Sequence, residues 1–436
     1  MKNYFTYSDH PVLVSKPHQN LQTGKLQELF VYLNSFSPFY KKIFEEKGIG
    51  LNQIREISDI RELPFTEKDD FCLGESFYCV PEEKVVDIVN TSGTTGEPVD
   101  IILTDSDLER LAVNEYMALT CAGVSSLDKI QIMVTMDQRF MAGVAYFLGV
   151  KKIGASMIRT GIAPIASQLN DLLRLKPTVL IAVPSYVVRL IEYAQERNID
   201  LNKSSVKKII AIGESIRNDD FSFNNLGKKI VKNWGVDLFS SYGASEIATA
   251  FTECSAQQGG HAPTDLVHIE SVDELNRQVE PGQIGELVVT TFGVEGMPLL
   301  RYKTGDLCRV YYDRCSCGRT SPRIGPILGR KNQMIKYKGT KIYPASVIDA
   351  IHSLDTIKDY FIELSSNEYG LDLLTIYLTG MREPSDLNID EIRTYIKSKI
   401  RVSPLVIVEH LENIMKRQRI PLKRKNIKFQ DIRKSH

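Results

Sequence analysis

Apolar and polar positions alternate along the chain in two textures. Residues 22–47, in LQTGKLQELFVYLNSFSPFYKKIFEE, repeat apolar positions with helical spacing and predict one amphipathic helix, followed by the connector ELPFTEKDDF. Strand-like and helix-like runs then alternate. VVDIVN and VDIILT read as two strands, and DSDLERLAVNEYMAL as a helix opened by Asp105 or Ser106 as its cap. KIQIMVT, TVLIAVP and KKIIAIG are short, continuously apolar runs of the kind buried in parallel sheets, each followed by a helical pattern such as SYVVRLIEYAQERN. That order of elements is α/β. From about Ile284 the segments GELVVTTF and LCRVYYD alternate as an antiparallel sheet or small barrel would. After GPILGRKNQMIKYKG comes a compact unit with a helix from about Ala345, a hairpin YFIELSSNEYGLDLLTIYLT, a helix near IDEIRTYIKSKI, the strand LVIVEHL and a basic tail. The predicted organisation is a large N-terminal domain, residues 1–329, with mostly parallel sheets and a β-rich subdomain. A small α+β C-terminal domain, 330–436, follows a boundary near Arg330.

Composition narrows the function classes. With 436 residues, 43% hydrophobic and 25% charged, the chain can bury a large core as two or three domains. Lys+Arg and Asp+Glu both number 54, so no net field draws it onto nucleic acid or a membrane, and any bound anion must be held by local geometry. The start MKNYFTYSDHPVLV lacks an apolar export segment and MAGVAYFLGV is too short to span a bilayer, so a cytoplasmic location is expected. Seven cysteines argue against a disulfide framework. The basic tail KRQRIPLKRKNIK has no interleaved aromatics and reads as a solvated face.

The chemistry gathers in a few loops. In VNTSGTTGEPVDI, the residues Thr91, Ser92, Gly93, Thr94, Thr95 and Gly96 can offer successive N–H groups and hydroxyls to one anion, because glycine permits positive φ and close backbone approach. A polar hairpin turn explains the same residues. The Lys-Ser/Thr ending of a Walker A loop is absent, and Glu97-Pro98 follows instead. FSSYGASEIA sets Tyr242, Gly243, Ser245 and Glu246 after an apolar strand, and RYKTGDL places Asp306 in a glycine turn.

With GRKNQM at the domain junction, these motifs give the chain its likeness: it resembles the adenylate-forming superfamily of acyl-CoA synthetases, in its phenylacetate-CoA ligase-like branch. The resemblance runs nearly the whole length, through SPFYKKIFEEKGI, ELPFTEKDDF, TSGTTGEPV, VPSYVVRLIE, IGESI, SYGASEIA, GQIGELVVTT, LLRYKTGDL, GRKNQMIKYKGTKIYPASVIDAI and IPLKRKNIKFQDIR. It implies that an acid is activated with ATP to an acyl-AMP, releasing pyrophosphate, and that the thiol of coenzyme A then displaces AMP. The loop Thr91–Gly96 would hold the β- and γ-phosphates, with adenine against Gly213, Glu214, Ser215 and Tyr242. Glu246 would help hold Mg²⁺, Asp306 would accept both ribose hydroxyls, and Arg330 would reach the nucleotide. Taken singly, Glu246 is also a helix-start charge, Asp306 a turn residue and Arg330 a surface cation.

The same resemblance makes Asn332 the pivot on which the C-terminal domain rotates between half-reactions, and Lys425 the catalytic lysine, since Asp431 and Arg433 follow it at the family's spacing. Two positions depart from the family: Glu97 replaces a lysine at the end of the phosphate loop, and Arg424 replaces the glycine before Lys425. Phe140, Tyr146, Tyr186, Ala211, Gly213 and Ala244 are candidate walls of an apolar pocket, so an aromatic or other compact apolar carboxylate is the expected substrate. Cys254 and His261, with Cys315 and Cys317 following 54 residues after the histidine, suit a closed structural zinc site; four unrelated residues would give the same letters. Loading of a carrier protein, adenylation of another carboxylate, and a non-catalytic nucleotide-binding relative are the alternative functions. A homodimer is compatible with the sequence.

Overall fold

The computed structural model describes residues 18–91, 99–337, 340–366, 372–381, 387–419 and 427–433. The chain divides into two compact units. The first contains the chain through Ser222, Lys229–Thr304 and Cys308–Pro326; the second contains Phe223–Lys228, Gly305–Leu307 and the chain from Ile327.

The first unit opens with α1 (His18–Phe36) and α2 (Pro38–Lys47). One continuous helix is thus replaced by two. The break follows from Pro38, which disfavours helical backbone at the residue before it; Ser37 is extended (φ −99°, ψ 111°) and its side chain caps the second helix at the Tyr40 N–H. Next come the antiparallel strands β1 (Asp87–Asn90) and β2 (Asp100–Leu103), then α3 (Asp105–Cys121). The cap of α3 is Thr104, one residue before the expected Asp105 or Ser106. Its hydroxyl accepts from the Asp107 N–H at 3.2 Å while the Asp107 carboxylate accepts from the Thr104 N–H at 3.0 Å, a reciprocal capping box.

The remaining strands of this region are β3 (Lys129–Ile132), β4 (Ser156–Arg159), β5 (Val179–Ala182), β6 (Lys208–Ile212), β7 (Asp237–Ala244), β8 (Thr249–Glu253), β9 (Gly260–His261), β10 (Val267–Val272), β11 (Ile284–Thr291), β12 (Tyr302–Tyr311) and β13 (Arg323–Ile324). They form one mixed sheet in the order β10-β11-β12-β13-β9-β8-β7-β6-β5-β3-β4; within the second unit, β14 (Gly329–Arg330) pairs with Asp306 and Leu307. The apolar runs β3 to β7 pair in parallel, and β7 passes to β8 and β9 by antiparallel pairing. The alternating segments after Ile284 therefore extend the sheet begun by the parallel strands.

Between the strands run α4 (Met141–Ile153), α5 (Ile165–Leu175), α6 (Pro184–Gln195) and α7 (Asn225–Asn233). Ile130, Ile132, Val179, Ile181, Ile210 and Ile212 share one face with Leu119, Tyr146 and Val150. Leu180, Ala182, Ile209 and Ala211 alternate with them along the strands and are equally buried, so both faces are covered, as parallel strands require.

The second unit contains the hairpin β15 (Ile335–Tyr337) and β16 (Thr340–Ile342), and a four-stranded sheet in the order β19-β18-β17-β20. These strands are β17 (Ile357–Ser366), β18 (Asp372–Gly380), β19 (Leu405–Val408) and β20 (Phe429–Asp431). Its helices are α8 (Pro344–His352), α9 (Ile389–Ile400) and α10 (Leu411–Gln418). Ile362, Leu364, Ile376, Leu378, Val347 and Ile396 form its core. Among the described residues no helix is long and apolar enough to cross a membrane.

One buried charge site lies between α3 and α4. Gly149 lets them approach so closely that a Cβ there would stand 2.3 Å from that of Glu115. The Glu115 carboxyl accepts one bond from Asn114, its other oxygen has no partner among the described residues, and burial pushes its pKa up to about 8. An unfolded glutamate titrates near 4.5, so between these values the folded chain retains a proton that the unfolded chain sheds. Stability contributed at this site is complete below that window and declines as pH rises through it, by at most about 1.4 kcal/mol per pH unit. Glu115→Gln is expected to flatten the fall in unfolding temperature between pH 5 and 8 relative to the parent chain; identical slopes would show that Glu115 does not cause it.

Candidate active site and Cys/His cluster

β6 stops short of the end of β7. Ile212, its last residue, pairs with Ser241 in a parallel register, so Gly213, Glu214 and Ser215 leave the sheet where β7 runs on through Tyr242, Gly243 and Ala244, paired with β8. The carboxyl ends of parallel strands are where open α/β sheets bind ligands. Gly213 takes φ +76°, which suits glycine, and a Cβ at Gly243 would come 3.2 Å from the Thr249 carbonyl oxygen. Tyr242 is paired with Phe251 across β8, their ring centroids 6.0 Å apart.

Each side chain at this edge has a definite partner. The Glu214 carboxylate accepts from the Ser185 N–H at 2.8 Å and from the Ser185 hydroxyl at 2.9 Å, at the second residue of α6. It therefore caps that helix, where an anion also meets the favourable end of the helix dipole. Glu246 faces Lys68, whose Nζ stands 3.4 Å from its carboxylate, with both side chains largely buried. Lys68 was not singled out in the sequence; its position in ELPFTEKDDF, 178 residues from Glu246, gave no sign of the pairing.

Thr91 closes the neck of the β1–β2 hairpin: its N–H donates to the Val99 carbonyl at 3.0 Å and its hydroxyl accepts from the Val99 N–H at 3.1 Å. Ser92, Gly93, Thr94, Thr95, Gly96 and Glu97 lie outside the described residues. Of the candidate pocket walls, Tyr146 and Ala211 are buried and Phe140 packs against the same core as Tyr146. Burial, aided by the nearby Glu115 charge, pushes the Tyr146 phenol well above its ordinary range. Tyr186 donates its hydroxyl to the Ala163 carbonyl.

In the second unit, Asp306 and Arg330 are cross-strand partners, and the Arg330 Nε donates to the buried Asp306 carboxylate at 3.0 Å. Gly305 precedes them at φ +74°. Asn332 sits in a short 3₁₀ turn, Lys331–Gln333, directly after β14. Arg424 and Lys425 lie outside the described residues.

A second constellation belongs wholly to the first unit. Cys254, His261, Cys315 and Cys317 bring one donor atom each within 4.8 Å of one another. Cys254 follows the last residue of β8, and His261 lies on β9, paired with Thr252. The two thiols of CSC come together in a turn in which the Gly318 N–H donates to the Cys315 carbonyl and the Cys315 N–H to the Arg319 carbonyl. Cys254 Sγ is 3.7 Å from Cys315 Sγ, and Cys317 Sγ is 3.6 Å from His261 Nε2. The other ring nitrogen of His261 is 2.9 Å from the Ser321 hydroxyl, which leaves Nε2 directed at the cluster.

Local charges set the protonation of these donors. Burial lowers the His261 pKa to about 4, helped by Arg319 and Arg323, so the ring is neutral at pH 7. Burial raises Cys254 to about 12. Burial also opposes ionisation of Cys317, but the Arg319 backbone N–H and guanidinium outweigh it and bring that thiol down to about 7. Three sulfurs and a neutral imidazole in a tight group suit a tetrahedral zinc ion, with no position left for chemistry.

The family model for AMP-binding enzymes matches residues 46–296. A phenylacetate-coenzyme A ligase of Thermus thermophilus is 29% identical over 372 residues, covering 83% of this chain and 82% of that protein. A phenylacetate-coenzyme A ligase of Escherichia coli is 28% identical over 414 residues, covering 91% and 92%. Among solved structures, a 2-hydroxyisobutyryl-CoA ligase in complex with 2-HIB-AMP superposes with a TM-score of 0.83 at 20% identity, over 99% of this chain and 96% of that one. The chain belongs to the AMP-binding enzyme family. It is similar along most of its length to phenylacetate-coenzyme A ligases.

For a member of this family the use of Glu214 is informative. Its carboxylate is occupied at the start of α6. Glu214→Ala is expected to lower stability by about 1 kcal/mol, the scale of losing a helix-terminal acceptor, with Glu214→Gln recovering part of it. Chemical denaturation measures the loss; a change in KM for ATP with unaltered stability would place the carboxylate on the nucleotide instead.

Proposed function

We propose that this chain joins a compact, predominantly apolar acid of aromatic type to coenzyme A through an acyl-adenylate. The observation that carries the reading is the convergence of Gly213–Ser215 with Tyr242–Ala244 at the carboxyl ends of β6 and β7, in an adenylate-forming chain. A carboxylate is a poor acyl donor because its leaving group would be oxide or hydroxide. In the first half-reaction a carboxylate oxygen bonds to the α-phosphorus of ATP and the bond to the β-phosphate bridge breaks, releasing pyrophosphate. In the second, the thiol sulfur of coenzyme A bonds to the acyl carbon, AMP leaves, and the thiol proton passes to solvent.

The residue roles are proposals from the family resemblance, fitted to the neighbours described above. Thr91, Ser92, Gly93, Thr94, Thr95 and Gly96 hold the β- and γ-phosphates; Gly213, Glu214, Ser215, Tyr242, Gly243 and Ser245 receive the adenine side. Asp306 accepts the ribose hydroxyls, and its contact with Arg330 keeps a cation beside the nucleotide. Glu246 is the residue that would hold Mg²⁺, which supplies charge neutralisation on the triphosphate when bound. Lys68 Nζ lies 3.4 Å from the Glu246 carboxylate, a cation beside the position proposed for the metal. Asn332, in its turn after β14, is the proposed pivot of the C-terminal domain. Lys425 places a point cation on the reacting carboxylate and α-phosphate oxygens during adenylation only. The apolar choice of acid rests on Phe140, Tyr146, Tyr186, Ala211 and Ala244. The balanced charge of the whole chain and its family suit a cytoplasmic enzyme.

The decisive experiment is pyrophosphate release with ATP and Mg²⁺ over a panel of aromatic and short aliphatic acids. Release that depends on an aromatic acid, followed by thioester formation with coenzyme A, is expected. Release with no dependence on any acid would overturn the reading, and thioester formation only on a carrier protein would reassign the acceptor. Lys425→Ala is expected to cut acyl-AMP formation by about a hundredfold while leaving thioester formation from supplied acyl-AMP intact. Loss in Lys423→Ala instead would move the role by two residues.

Cys254, His261, Cys315 and Cys317 are proposed to bind one structural zinc ion, which ties β8 and β9 to the CSC turn. Elemental analysis of the purified chain is expected to show zinc near one equivalent, and a strong chelator to lower the unfolding temperature. Zinc-free protein of unchanged stability would refute the site.

A further inference from the structure

Arg217 lies two residues beyond Ser215 and is nine-tenths buried, at 7% exposure. Its Nε donates to Glu253 at 2.9 Å and a terminal nitrogen donates to the other carboxylate oxygen at 3.0 Å, a two-pronged ion pair. The guanidinium also donates to the carbonyls of Leu238 and Phe221, each at 3.2 Å. Glu253 accepts a further bond from the Ser240 N–H at 2.8 Å. Both charges are thereby matched by named groups in the interior.

What distinguishes this pair is what it joins. On one side, the Ser215 hydroxyl donates to the Arg217 carbonyl at 3.1 Å and lies 3.4 Å from its N–H, so the guanidinium and the last residue of the proposed nucleotide loop form one turn. On the other side, Glu253 is followed by Cys254, and its register partner Gly260 is followed by His261. Two of the four cluster donors are therefore the covalent neighbours of the Glu253–Gly260 pairing. The line from cluster to loop runs Cys254, Glu253, Arg217, Ser215, through a peptide bond, a buried ion pair and a one-turn hydrogen bond. A buried ion pair is often no more stabilising than apolar residues of the same volume, so its value here lies in direction. A planar fork fixes both the distance and the angle between β8 and the loop.

We propose that Arg217 and Glu253 are a positioning pair that couples the Cys/His metal cluster to the nucleotide loop, so that each bound partner strengthens binding of the other. The proposal rests on the zinc and nucleotide readings given above. It extends them by making the metal a determinant of nucleotide affinity. Coupling of this kind is reciprocal: the factor by which nucleotide tightens the metal equals the factor by which metal tightens the nucleotide.

The test uses the full zinc-loaded chain. Zinc transfer to a coloured chelator is followed with and without AMP, alongside AMP affinity by calorimetry. In the parent chain, AMP is expected to shift the equilibrium partition of zinc between chelator and protein toward the protein by about tenfold, within the usual range of coupling between sites. In the double variant Arg217→Met, Glu253→Met, which removes both charges together, zinc and AMP should still bind while the factor falls to about one. Arg217→Lys, which keeps the charge but not the fork, is expected to fold and to lose most of the factor. It decides the matter if the double variant does not fold. A parent chain that binds both partners with no coupling, or a lysine variant that keeps the full factor, overturns the proposal while leaving both site readings intact. A chain that binds AMP but holds no metal overturns the cluster reading and the proposal with it.

Discussion

The parallel pairing of β6 with β7 is the constraint on which the candidate site depends. Each strand is a short apolar run that can be satisfied only by burial on both faces, and the register Ile212 to Ser241 is held by four further residue pairs beginning at Lys208 and Asp237. A slip of one residue would turn Ile210 and Ile212 off the face they share with Tyr146 and Phe239. The core therefore fixes the level at which Gly213–Ser215 leave the sheet beside Tyr242–Ala244. Backbone, glycine and short polar side chains make up that edge, and none of them could set the level alone.

Buried charge is the second organising element, and it is handled in two ways. Arg110 and Arg301 cross between segments distant in sequence, and their donors are met. Arg110, fully buried on α3, donates to the carbonyls of Phe292, Ala248 and Leu266 and to the Thr249 hydroxyl. Arg301 pairs with Glu270 and also donates to the Arg61 and Leu63 carbonyls. Each such residue fastens several chain segments at once, because a fixed fork of donors can satisfy only one arrangement of acceptors. Glu115 is the opposite case. It has one amide donor and no cation, and its carboxyl answers burial by holding its proton.

The α/β order, the apolar strands and the small α+β unit could be read in the sequence because each depends on local periodicity. The N-terminal helix pair was misread because apolar spacing continues across Ser37-Pro38, and only the backbone restriction before proline breaks it. The α3 cap shifted to Thr104 for a related reason: three oxygen-bearing residues stand in a row, and the reciprocal bond with Asp107 selects among them. The Gly213–Ser215 and Tyr242–Glu246 segments were legible as motifs, but the occupation of the Glu214 carboxylate by α6 was not, since Ser185 lies 29 residues upstream. The Lys68–Glu246 and Arg217–Glu253 pairs were invisible for the same reason. Nothing in a run of sequence shows which of 54 cations will face which of 54 anions.

The Cys/His cluster shows how topology turns a weak sequence signal into a specific arrangement. C-x-C is tighter than the usual metal-binding spacing, and His261 is separated from Cys315 by half a domain's worth of strands. Yet β9 lies between β8 and β13, antiparallel to both, so Cys254 at the end of β8, His261 on β9 and the chain entering β13 at Arg323 flank the same two short rows of paired residues. The CSC turn precedes β13 and reaches that end from the opposite side of the sequence. Four donors meet because an antiparallel sheet brings the end of one strand beside the beginning of the next. Arg319 offsets part of the desolvation of the thiols, and burial, with Arg319 and Arg323, keeps His261 neutral. The strands that carry Cys254 and His261 lie beside β7, whose Tyr242 pairs with Phe251 of β8.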